Sequence, residues 1–457
     1  MNELLLSRAR GLVTLGVYFI LLVGCSGGGS SSTPPTSSSS AIEPTTLLKV
    51  PGFGIVTDVA SIDLNSDGNL DLIVARTRDN PFYSGLYLQA LINNGDKTFT
   101  DQTQQYFPNL GNNWKWINKI YFADLNGDSR LDLVLHTDIN AINLPPLIRQ
   151  PNGSFAPIDP LLLSISGPMV PIDADADGDM DLLVHTIVAF RDSLNQQIQW
   201  SLLVNTLANT GTMSFQAGNT LISNNKGWDY SAFVYAPVIK DINNDGRPDI
   251  LFGGPKWKNG GFINEVSPLT VYTNSGNGQF TENANLVFAG SVPSLTHVRD
   301  TAVADFNGDG LSDIVIANTG YDSAPFPGER NLLLLQQANG TLLEQPGGIT
   351  DFNYKGFTHS TAVGDIDNDG DVDIVFTDIL GDDVIPAGKI RILLNNGSGV
   401  FSKRSATVPT QYLNSNGWTS TNLVDLNKDG YPELILGGID FGSESFIFWN
   451  DGKGNFQ

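Results

Sequence analysis

The chain has 457 residues, of which 40% are apolar and 48 are glycine, and its 48 acidic and 25 basic side chains give a net charge of −23 at pH 7. This composition indicates a globular protein with many turns. The acidity excludes nucleic acid as a partner, because neutralising phosphates requires clustered Lys and Arg. The single cysteine, Cys25, excludes an intramolecular disulfide.

Residues 1–24 have the features of a secretion signal. Two arginines precede an apolar run from Gly11 to Val23, which has the length of a signal-peptide core and is short for a membrane span. The run leads into Leu22-Val23-Gly24-Cys25, which resembles the lipobox of bacterial lipoproteins. The resemblance implies cleavage before Cys25, lipid on Cys25 and anchoring in the cell envelope. The alternative is an ordinary secretion signal with an incidental cysteine.

Residues 25–43 follow as a tether. They contain a run of Ser, Gly, Thr and Pro that is flexible and cannot bury a core. Ser26, next to the predicted lipidated Cys25, implies the outer membrane if the host is Gram-negative, facing either the periplasm or the outside. The folded domain is therefore expected over residues 44–457.

One nine-residue acidic pattern recurs seven times in this domain. Its copies are 49 to 68 residues apart and begin at Asp63, Asp124, Asp173, Asp241, Asp305, Asp365 and Asp425. Positions 1, 3, 5 and 9 hold 23 of the 48 acidic side chains, and position 6 is glycine in every copy except the second, which has Ser129. Carboxylates this close repel each other unless a cation neutralises them, and oxygen ligands at alternate positions suit Ca²⁺. The period near 60 predicts a repeat architecture.

Short runs rich in Val, Ile and Phe surround each motif. In the sixth copy they are Thr358 to Gly364, Val372 to Thr377, Lys389 to Leu394, and Val400 with Phe401. Such runs between Gly and Asn turns predict antiparallel strands, with the acidic loop joining the first strand to the second. Seven four-stranded units predict an all-β, seven-bladed β-propeller, which leaves few exposed edges.

The ends of the repeat region predict how the ring closes. After Phe456 only Gln457 remains, so the seventh unit lacks a fourth strand. Thr45 to Val50 is a spare strand ahead of the first unit. We therefore predict that this N-terminal strand completes the last blade.

The loops with their flanks, such as Thr301–Asn318 and Thr361–Asp378, resemble FG-GAP/VCBS repeats over roughly residues 44–457. These repeats build the seven-bladed propeller of integrin α chains and of some fungal lectins. The resemblance implies up to seven structural Ca²⁺ ions, each held by side chains at positions 1, 3, 5 and 9 and by the backbone carbonyl at position 7. We expect the second site to be the weakest, because Ser129 replaces a glycine in a turn that needs positive φ.

The implied side-chain ligands are Asp63, Asn65, Asp67, Asp71, Asp124, Asn126, Asp128, Asp132, Asp173, Asp175, Asp177, Asp181, Asp241, Asn243, Asp245, Asp249, Asp305, Asn307, Asp309, Asp313, Asp365, Asp367, Asp369, Asp373, Asp425, Asn427, Asp429 and Glu433. The implied carbonyl ligands belong to Asn69, Arg130, Asp179, Arg247, Leu311, Asp371 and Tyr431.

Residues close to the start of each first strand are the candidate ligand-binding set. In such propellers they lie around the channel mouth opposite the metal loops, where aromatic faces stack on sugars and Arg pairs with carboxylates. The candidates are Trp114, Trp116, Trp228, Tyr230, His297, Arg299, His359 and Trp418. The alternative is that the tryptophans plug the channel or pack between blades.

These observations predict a lipid-anchored, calcium-binding envelope module for adhesion to a glycan or a cell-surface protein. One alternative is a lyase acting on a uronate-containing polysaccharide, because some polysaccharide lyases are propellers that use His, Tyr and Arg. Its candidate catalytic residues are His297, Arg299, Tyr354 and His359. Another alternative is a scaffold that joins envelope proteins.

Overall fold

A computed structural model describes the fold of the unit Glu43–Gln457 over the following residues. These are residues 43–81, 84–110, 116–137, 144–159, 162, 168–191, 195–221, 237–253, 256–258, 261–263, 266–321, 326–345, 354–379, 389–404, 408–413, 417–438 and 444–457. The predicted signal segment and most of the tether, with Cys25, lie outside the described residues.

The structure contains seven four-stranded antiparallel sheets, one for each motif, which are the blades of a seven-bladed propeller. The first strands are Ile55–Ile62, Ile117–Ala123, Met169–Ile172, Val238–Lys240, Val298–Ala304, Thr358–Gly364 and Trp418–Val424. The second strands are Asp71–Arg78, Asp132–Thr137, Asp181–Arg191, Asp249–Phe252, Asp313–Asn318, Asp373–Asp378 and Glu433–Gly438. The third strands are Ser84–Asn93, Leu147–Arg149, Asn195–Asn205, Thr270–Asn274, Leu332–Gln336, Ile390–Asn395 and Phe446–Phe448. The fourth strands are Phe99–Asp101, Phe155–Pro157, Phe215–Thr220, Phe280–Glu282, Leu342–Glu344, Phe401–Lys403 and Thr45–Thr46.

Additional short strands and helices lie outside the seven four-stranded sheets. Lys256–Lys258 pairs with Gly261–Ile263, and Ser267–Pro268 pairs with Ser294–Leu295. The four-residue helices are Thr103–Tyr106, Leu207–Thr210, Ala284–Val287 and Thr410–Leu413. No helix in the described ranges combines the length and the hydropathy that crossing a membrane requires.

The acidic motif determines where the strands begin and end. In every blade the first strand ends at the residue before position 1, and the second strand begins at position 9. The loop therefore joins the first two strands of each blade, which confirms the predicted four-stranded unit.

The described core consists of seven apolar clusters, each of which lies between two adjacent blades. Between blades 7 and 1, Leu47 and Val56 pack in one cluster with Ile435 and Trp449. Blade 7 therefore packs against blade 1 in the same way as any other neighbouring pair, and burial of apolar surface holds the blades together around the ring.

The N-terminal strand completes blade 7, as predicted, and Gln457 also contributes to this blade, which was not predicted. Thr45 and Thr46 pair antiparallel with Ile447 and Phe446. On the same outer edge, Gln457 exchanges two backbone hydrogen bonds with Trp449, at 2.8 and 2.9 Å. The outermost strand position of this blade is therefore filled by two separate segments of the chain.

A ring of side-chain hydrogen bonds also joins each blade to the preceding one. A side chain at the end of each third strand donates to the backbone carbonyl at position 2 of the previous blade's loop, as when Asn274 Nδ2 donates to the Ala174 carbonyl at 2.8 Å. The seven donors are Asn93, Arg149, Asn205, Asn274, Gln336, Asn395 and Asn450. An amide at six positions and a guanidinium at the seventh thus link the motifs all round the propeller.

We expect Asn274→Ala to lower the free energy of unfolding by about 1–3 kcal/mol, because it removes the buried hydrogen bond to the Ala174 carbonyl, which keeps only the Gly278 N–H, and leaves the Gly276 N–H without its acceptor. The matched control is Asn285→Ala, which removes an exposed amide from a short helix and should change stability by about 0.5 kcal/mol or less. Urea denaturation measures both. Equal midpoints for the two variants would contradict a role for the ring in joining blades.

Candidate functional site

The first candidate site is the set of acidic loops. In six of them the backbone N–H of position 6 donates to the position 1 carboxylate, as from Gly68 to Asp63 at 2.9 Å. The loop thus folds around its own first aspartate. The side chains at positions 1, 3 and 5 are thereby gathered on the inside of one tight turn.

Two backbone positions of every loop are left-handed. Position 6 has φ between +64° and +94°, and position 4 has φ between +61° and +74°. Ser129 adopts φ of +64°, so the second loop keeps the turn despite lacking glycine at position 6. The requirement at position 4 was not predicted, because that position holds glycine in only two loops and its other residues are Ser, Ala, Asn and Lys.

The acidic residue at position 9 connects the loop to the blade by hydrogen bonds. Asp373 is fully buried and accepts hydrogen bonds from the backbone N–H of Ile366 at 2.9 Å and of Asn395 at 2.8 Å. The same residue is fully buried in all seven blades. The motif predicts a metal-ligand role for this position, and the two hydrogen bonds show that it also links the loop to the third strand.

Loops 3 and 6 differ from the others in charge. In loops 1, 4, 5 and 7 the position 3 asparagine donates to the position 5 aspartate, as from Asn65 to Asp67 at 2.8 Å. Loops 3 and 6 have aspartate at position 3, so this donor is missing. Their first three carboxylates offer ligand atoms within 4.8 Å of one another. The residues are Asp173, Asp175 and Asp177, and Asp365, Asp367 and Asp369.

These two loops fit a cation. Among the described residues, the buried Oδ1 atoms of Asp173, Asp175 and Asp367 in these loops, and of Asp425 in loop 7, have no hydrogen-bond partner. A buried carboxylate oxygen without a partner is costly, and a metal ion is the usual remedy. Burial and the neighbouring carboxylates also raise the pKa of Asp175 and of Asp367. The acidic loops can therefore hold metal, with loops 3 and 6 as the best formed sites.

The second candidate site is a pocket on the central channel. In blades 1, 2, 5, 6 and 7 the first strand contains a register irregularity six residues before the acidic motif. The side chain of a residue at a β-bulge points in a different direction from the alternation of its strand neighbours. The five residues at these irregularities all line one pocket and are Thr57, Asn118, Arg299, His359 and Thr419.

Contacts between blades 2 and 5 join opposite sides of this channel. Lys119 Nζ lies 3.3 Å from Asp300 Oδ1, and the guanidinium carbon of Arg299 lies 5.5 Å from the centre of the Trp116 ring. Asp300 also accepts hydrogen bonds from Ser360 Oγ at 2.9 Å. The pocket is thus held by charge pairs and hydrogen bonds between different blades.

His359 is a neutral linker in this pocket. Its Nδ1 donates to the Thr419 carbonyl at 2.9 Å, and its Nε2 accepts from Arg299 Nε at 2.8 Å. Burial, followed by the charge of Arg299, holds the pKa of His359 well below its usual range. Both ring nitrogens are therefore occupied, and the imidazole fixes the guanidinium of Arg299.

The predicted ligand-binding residues lie in different parts of the structure. Trp116, Arg299 and His359 lie together at the channel. Trp418 is only 1% exposed and packs against Phe446, so its ring belongs to the interior, as the alternative of packing between blades anticipated. His297 is also buried, at 2% exposed. Trp114, Trp228 and Tyr230 lie outside the described residues.

The four residues of the lyase hypothesis are placed differently. Burial and the nearby Arg299 lower the pKa of His297 to about 3. The Tyr354 hydroxyl donates to Asp378 at 3.0 Å, and the Tyr354 ring lies 4.2 Å from the guanidinium carbon of Arg391. Only Arg299 and His359 of this set line the channel pocket.

Seven of the nine residues that line the pocket were not predicted from the sequence as ligand-binding residues. They are Thr57, Asp58, Asn118, Lys119, Asp300, Ser360 and Thr419. The constant spacing of six residues before each acidic motif could have revealed three of them. Lys119 could not have been found in this way, because its partner Asp300 is on a distant blade.

Comparison with known proteins gives one matching family model. A model described as "FG-GAP-like repeat" matches residues 63–135, 241–316, 305–376 and 378–436, which together make up more than half of the chain. The matched segments contain six of the seven acidic loops and omit the third.

Curated relatives include integrin α chains. Integrin alpha-3 of Mus musculus is 28% identical over 130 residues, which is 27% of this chain and 11% of the relative. Integrin alpha-8 of Gallus gallus is 26% identical over 235 residues, which is 47% of this chain and 21% of the relative. The chain thus spans about a fifth or less of the length of these two relatives.

Sequence identity to a matching solved structure is lower than to these integrin chains. The exotype rhamnogalacturonan lyase YesX aligns with 88% of this chain and 56% of its own, at 14% identity and a TM-score of 0.37. This similarity is too low to bear on activity.

Proposed function

The chain belongs to the family of FG-GAP-like repeat proteins, and from this membership and the channel pocket we propose that it is a calcium-stabilised binding module that recognises a glycan. The observation that carries the proposal is the convergence of Arg299, His359 and Asn118, from three different blades, on one pocket. Convergent polar groups in a concave site are the usual mark of ligand recognition.

Calcium is the cation that we assign to the acidic loops. The ligands are oxygen atoms of Asp and Asn side chains at alternate positions, which Ca²⁺ prefers, and the integrin α resemblance agrees with this choice. Asp365, Asp367 and Asp369 would hold the ion in loop 6, and the corresponding residues would do so in the other loops. The ion would stabilise the loop and take no part in ligand chemistry.

We also retain the envelope location as part of the proposal. Lipid on Cys25 would tether the propeller to a membrane. Mass spectrometry of the mature protein would detect the acyl groups, and Cys25→Ala should move the protein from the membrane fraction to the soluble one. Unchanged fractionation would contradict the anchor.

The binding function is tested with the purified full-length protein, calcium and a panel of immobilised glycans. Arg299→Ala should lower glycan retention at least tenfold, because it removes the guanidinium that lines the pocket. Lys403→Ala removes one positive charge from an exposed position and should leave retention unchanged. Absorbance of unsaturated products in the same samples would instead identify a lyase. Absence of both signals would turn the search towards protein partners.

A further inference from the structure

We propose that Arg404 makes loop 6 the weaker of two matched calcium sites, so that loop 3 fills at a lower calcium concentration and loop 6 at a higher one. This inference rests on the proposed assignment of calcium to the acidic loops and concerns how one of these sites is regulated. It does not depend on the channel pocket or on the proposed glycan.

Loops 3 and 6 offer a metal ion the same side chains. Both have aspartate at positions 1, 3, 5, 7 and 9 and glycine at position 6, over residues 173–181 and 365–373. In both loops the carboxylate at position 3, on Asp175 and Asp367, has a buried Oδ1 atom without a hydrogen-bond partner. The carboxylate at position 9 is fully buried in both. A difference in calcium affinity between the two loops is therefore expected from the residues around the ligands rather than from the ligands.

A guanidinium group lies beside loop 6. Arg404 follows the fourth strand of blade 6, and its Nη1 atom lies 3.7 Å from Asp367 Oδ2. The two side chains are only 22% and 21% exposed, so salt and water screen their interaction weakly. A separation of 3.7 Å is an ion pair rather than a hydrogen bond. Arg404 therefore acts on Asp367 through its charge more than by orienting the carboxylate.

The hairpin at the end of blade 7 fixes this guanidinium. Arg404 Nη2 donates to the Lys453 carbonyl at 2.6 Å. Gly454 has φ of +71°, and a Cβ atom at this residue would lie 2.6 Å from Arg404 Nη1. The glycine thus leaves the space that the guanidinium occupies. The positive charge is therefore held beside loop 6 by the fold.

The corresponding contact in blade 3 is neutral. Asn219, in the fourth strand of this blade, donates its Nδ2 N–H to the Gly278 carbonyl at 2.7 Å. Gly278 lies in the hairpin of the next blade, as Lys453 does for Arg404. Of the ion pairs between described residues, none involves a carboxylate of loop 3. Loop 3 thus lacks the positive charge that lies beside loop 6.

This charge favours the calcium-free form of loop 6 over the calcium-bound form. Without an ion, Arg404 offsets part of the repulsion among the carboxylates. With an ion, the same positive charge lies close to Ca²⁺ and repels it. Both effects weaken calcium binding, and both are absent from loop 3. We therefore expect loop 6 to bind calcium at least about tenfold more weakly than loop 3.

Loop 6 adjoins the blade that closes the ring. Asn450 Nδ2 donates to the Ile366 carbonyl, at position 2 of loop 6, at 2.9 Å. Asn450 leads into the hairpin that holds Arg404 and ends at Gln457. The site that fills later is thus at the junction between blade 6 and the closing blade 7. Calcium above the concentration that fills loop 3 would strengthen this junction.

The experiment titrates the full-length protein with Ca²⁺ in competition with a chromophoric chelator, which resolves sites of different affinity. Arg404→Gln removes the charge and keeps a side-chain amide, as in blade 3, and we expect it to raise the affinity of one site at least about tenfold. Arg404→Lys keeps the charge and should leave the affinities close to those of the unmodified protein. The control Lys403→Ala removes a neighbouring exposed charge and should change no site.

Two loop variants assign the effect to a site. Asp367→Asn removes the partner of Arg404, so the gain from Arg404→Gln should disappear in this background and persist in the Asp175→Asn background. Unchanged or weaker calcium binding by Arg404→Gln would overturn the inference and leave calcium binding itself intact. A gain that persists in the Asp367→Asn background would do the same. Failure of the unmodified protein to bind calcium would overturn the proposed calcium assignment together with the inference.

Discussion

Removal of calcium is expected to lower the melting temperature more than any single substitution. An ion present at 1,000 times its dissociation constant stabilises the folded state by about 4 kcal/mol per site. Loops 3 and 6, with their unpaired buried carboxylate oxygens, should account for most of the effect. Differential scanning calorimetry in excess Ca²⁺ and in excess EGTA measures it. Identical melting curves would contradict structural calcium.

Matched variants assign the calcium effect to particular loops. Asp175→Asn and Asp367→Asn give loops 3 and 6 the Asn–Asp pair that loops 1, 4, 5 and 7 contain. We expect each variant to melt higher than the unmodified protein in EGTA, because the new amide can donate to the carboxylate at position 5. The melting temperature of each variant should also rise less on addition of calcium than that of the unmodified protein. A variant whose melting temperature rises as much as that of the unmodified protein would show that its loop contributes little to the calcium effect.

The calcium effect should shrink as the pH falls from 7 to 5. Without an ion, burial raises the pKa of Asp181 and of Asp373 to about 7. Because these pKa values lie above those of the unfolded chain, the calcium-free fold loses stability as the pH rises through this range. Calcium favours the ionised carboxylates and offsets that loss, whereas protons compete with it at low pH. Melting curves at both pH values, with and without EGTA, measure the difference.

Deletion of residues 44–51 is expected to open the ring and cause the second-largest loss of stability. The segment supplies the outer strand of blade 7 and the Leu48 carbonyl, which accepts a hydrogen bond from the buried guanidinium of Arg76 at 2.9 Å. The deletion would expose the sheet edge and remove one of the acceptors of a buried charge, which would keep only Gln89 Oε1, and both changes are costly. Thermal unfolding followed by circular dichroism measures the change. An unaltered melting temperature would contradict closure by this strand.

Two adjacent leucines provide the matched test of closure. Leu47 is 2% exposed and packs in the cluster between blades 7 and 1, whereas Leu48 is 41% exposed. Leu47→Ala should lower the free energy of unfolding by about 2–5 kcal/mol because it leaves a cavity. Leu48→Ala should change it by about 0.5 kcal/mol or less. Equal losses would indicate that side-chain burial does not hold this interface.

Local sequence information was sufficient for the architecture and for the metal loops. The nine-residue pattern specifies a tight turn by its own chemistry, because its short acidic side chains accept the backbone N–H groups of the same loop. Its sevenfold recurrence between β-rich runs predicted the blade count, the strand order within each blade and closure by an N-terminal strand, which was predicted over Thr45 to Val50 and observed over Thr45–Thr46. These features depend on contacts within one repeat or between repeats of known spacing.

Only the tertiary structure determined the channel pocket and the links between blades. Lys119 meets Asp300, and Trp116 meets Arg299, across about 180 residues of intervening chain. Trp418 is adjacent in sequence to Thr419, yet the tryptophan is in the core and the threonine lines the pocket. A bulge in the first strand decides which of the two neighbouring side chains points into the pocket, and the residue types around it do not predict the bulge. The repeats thus specify the blades, whereas the ring that they form brings distant residues together into a site.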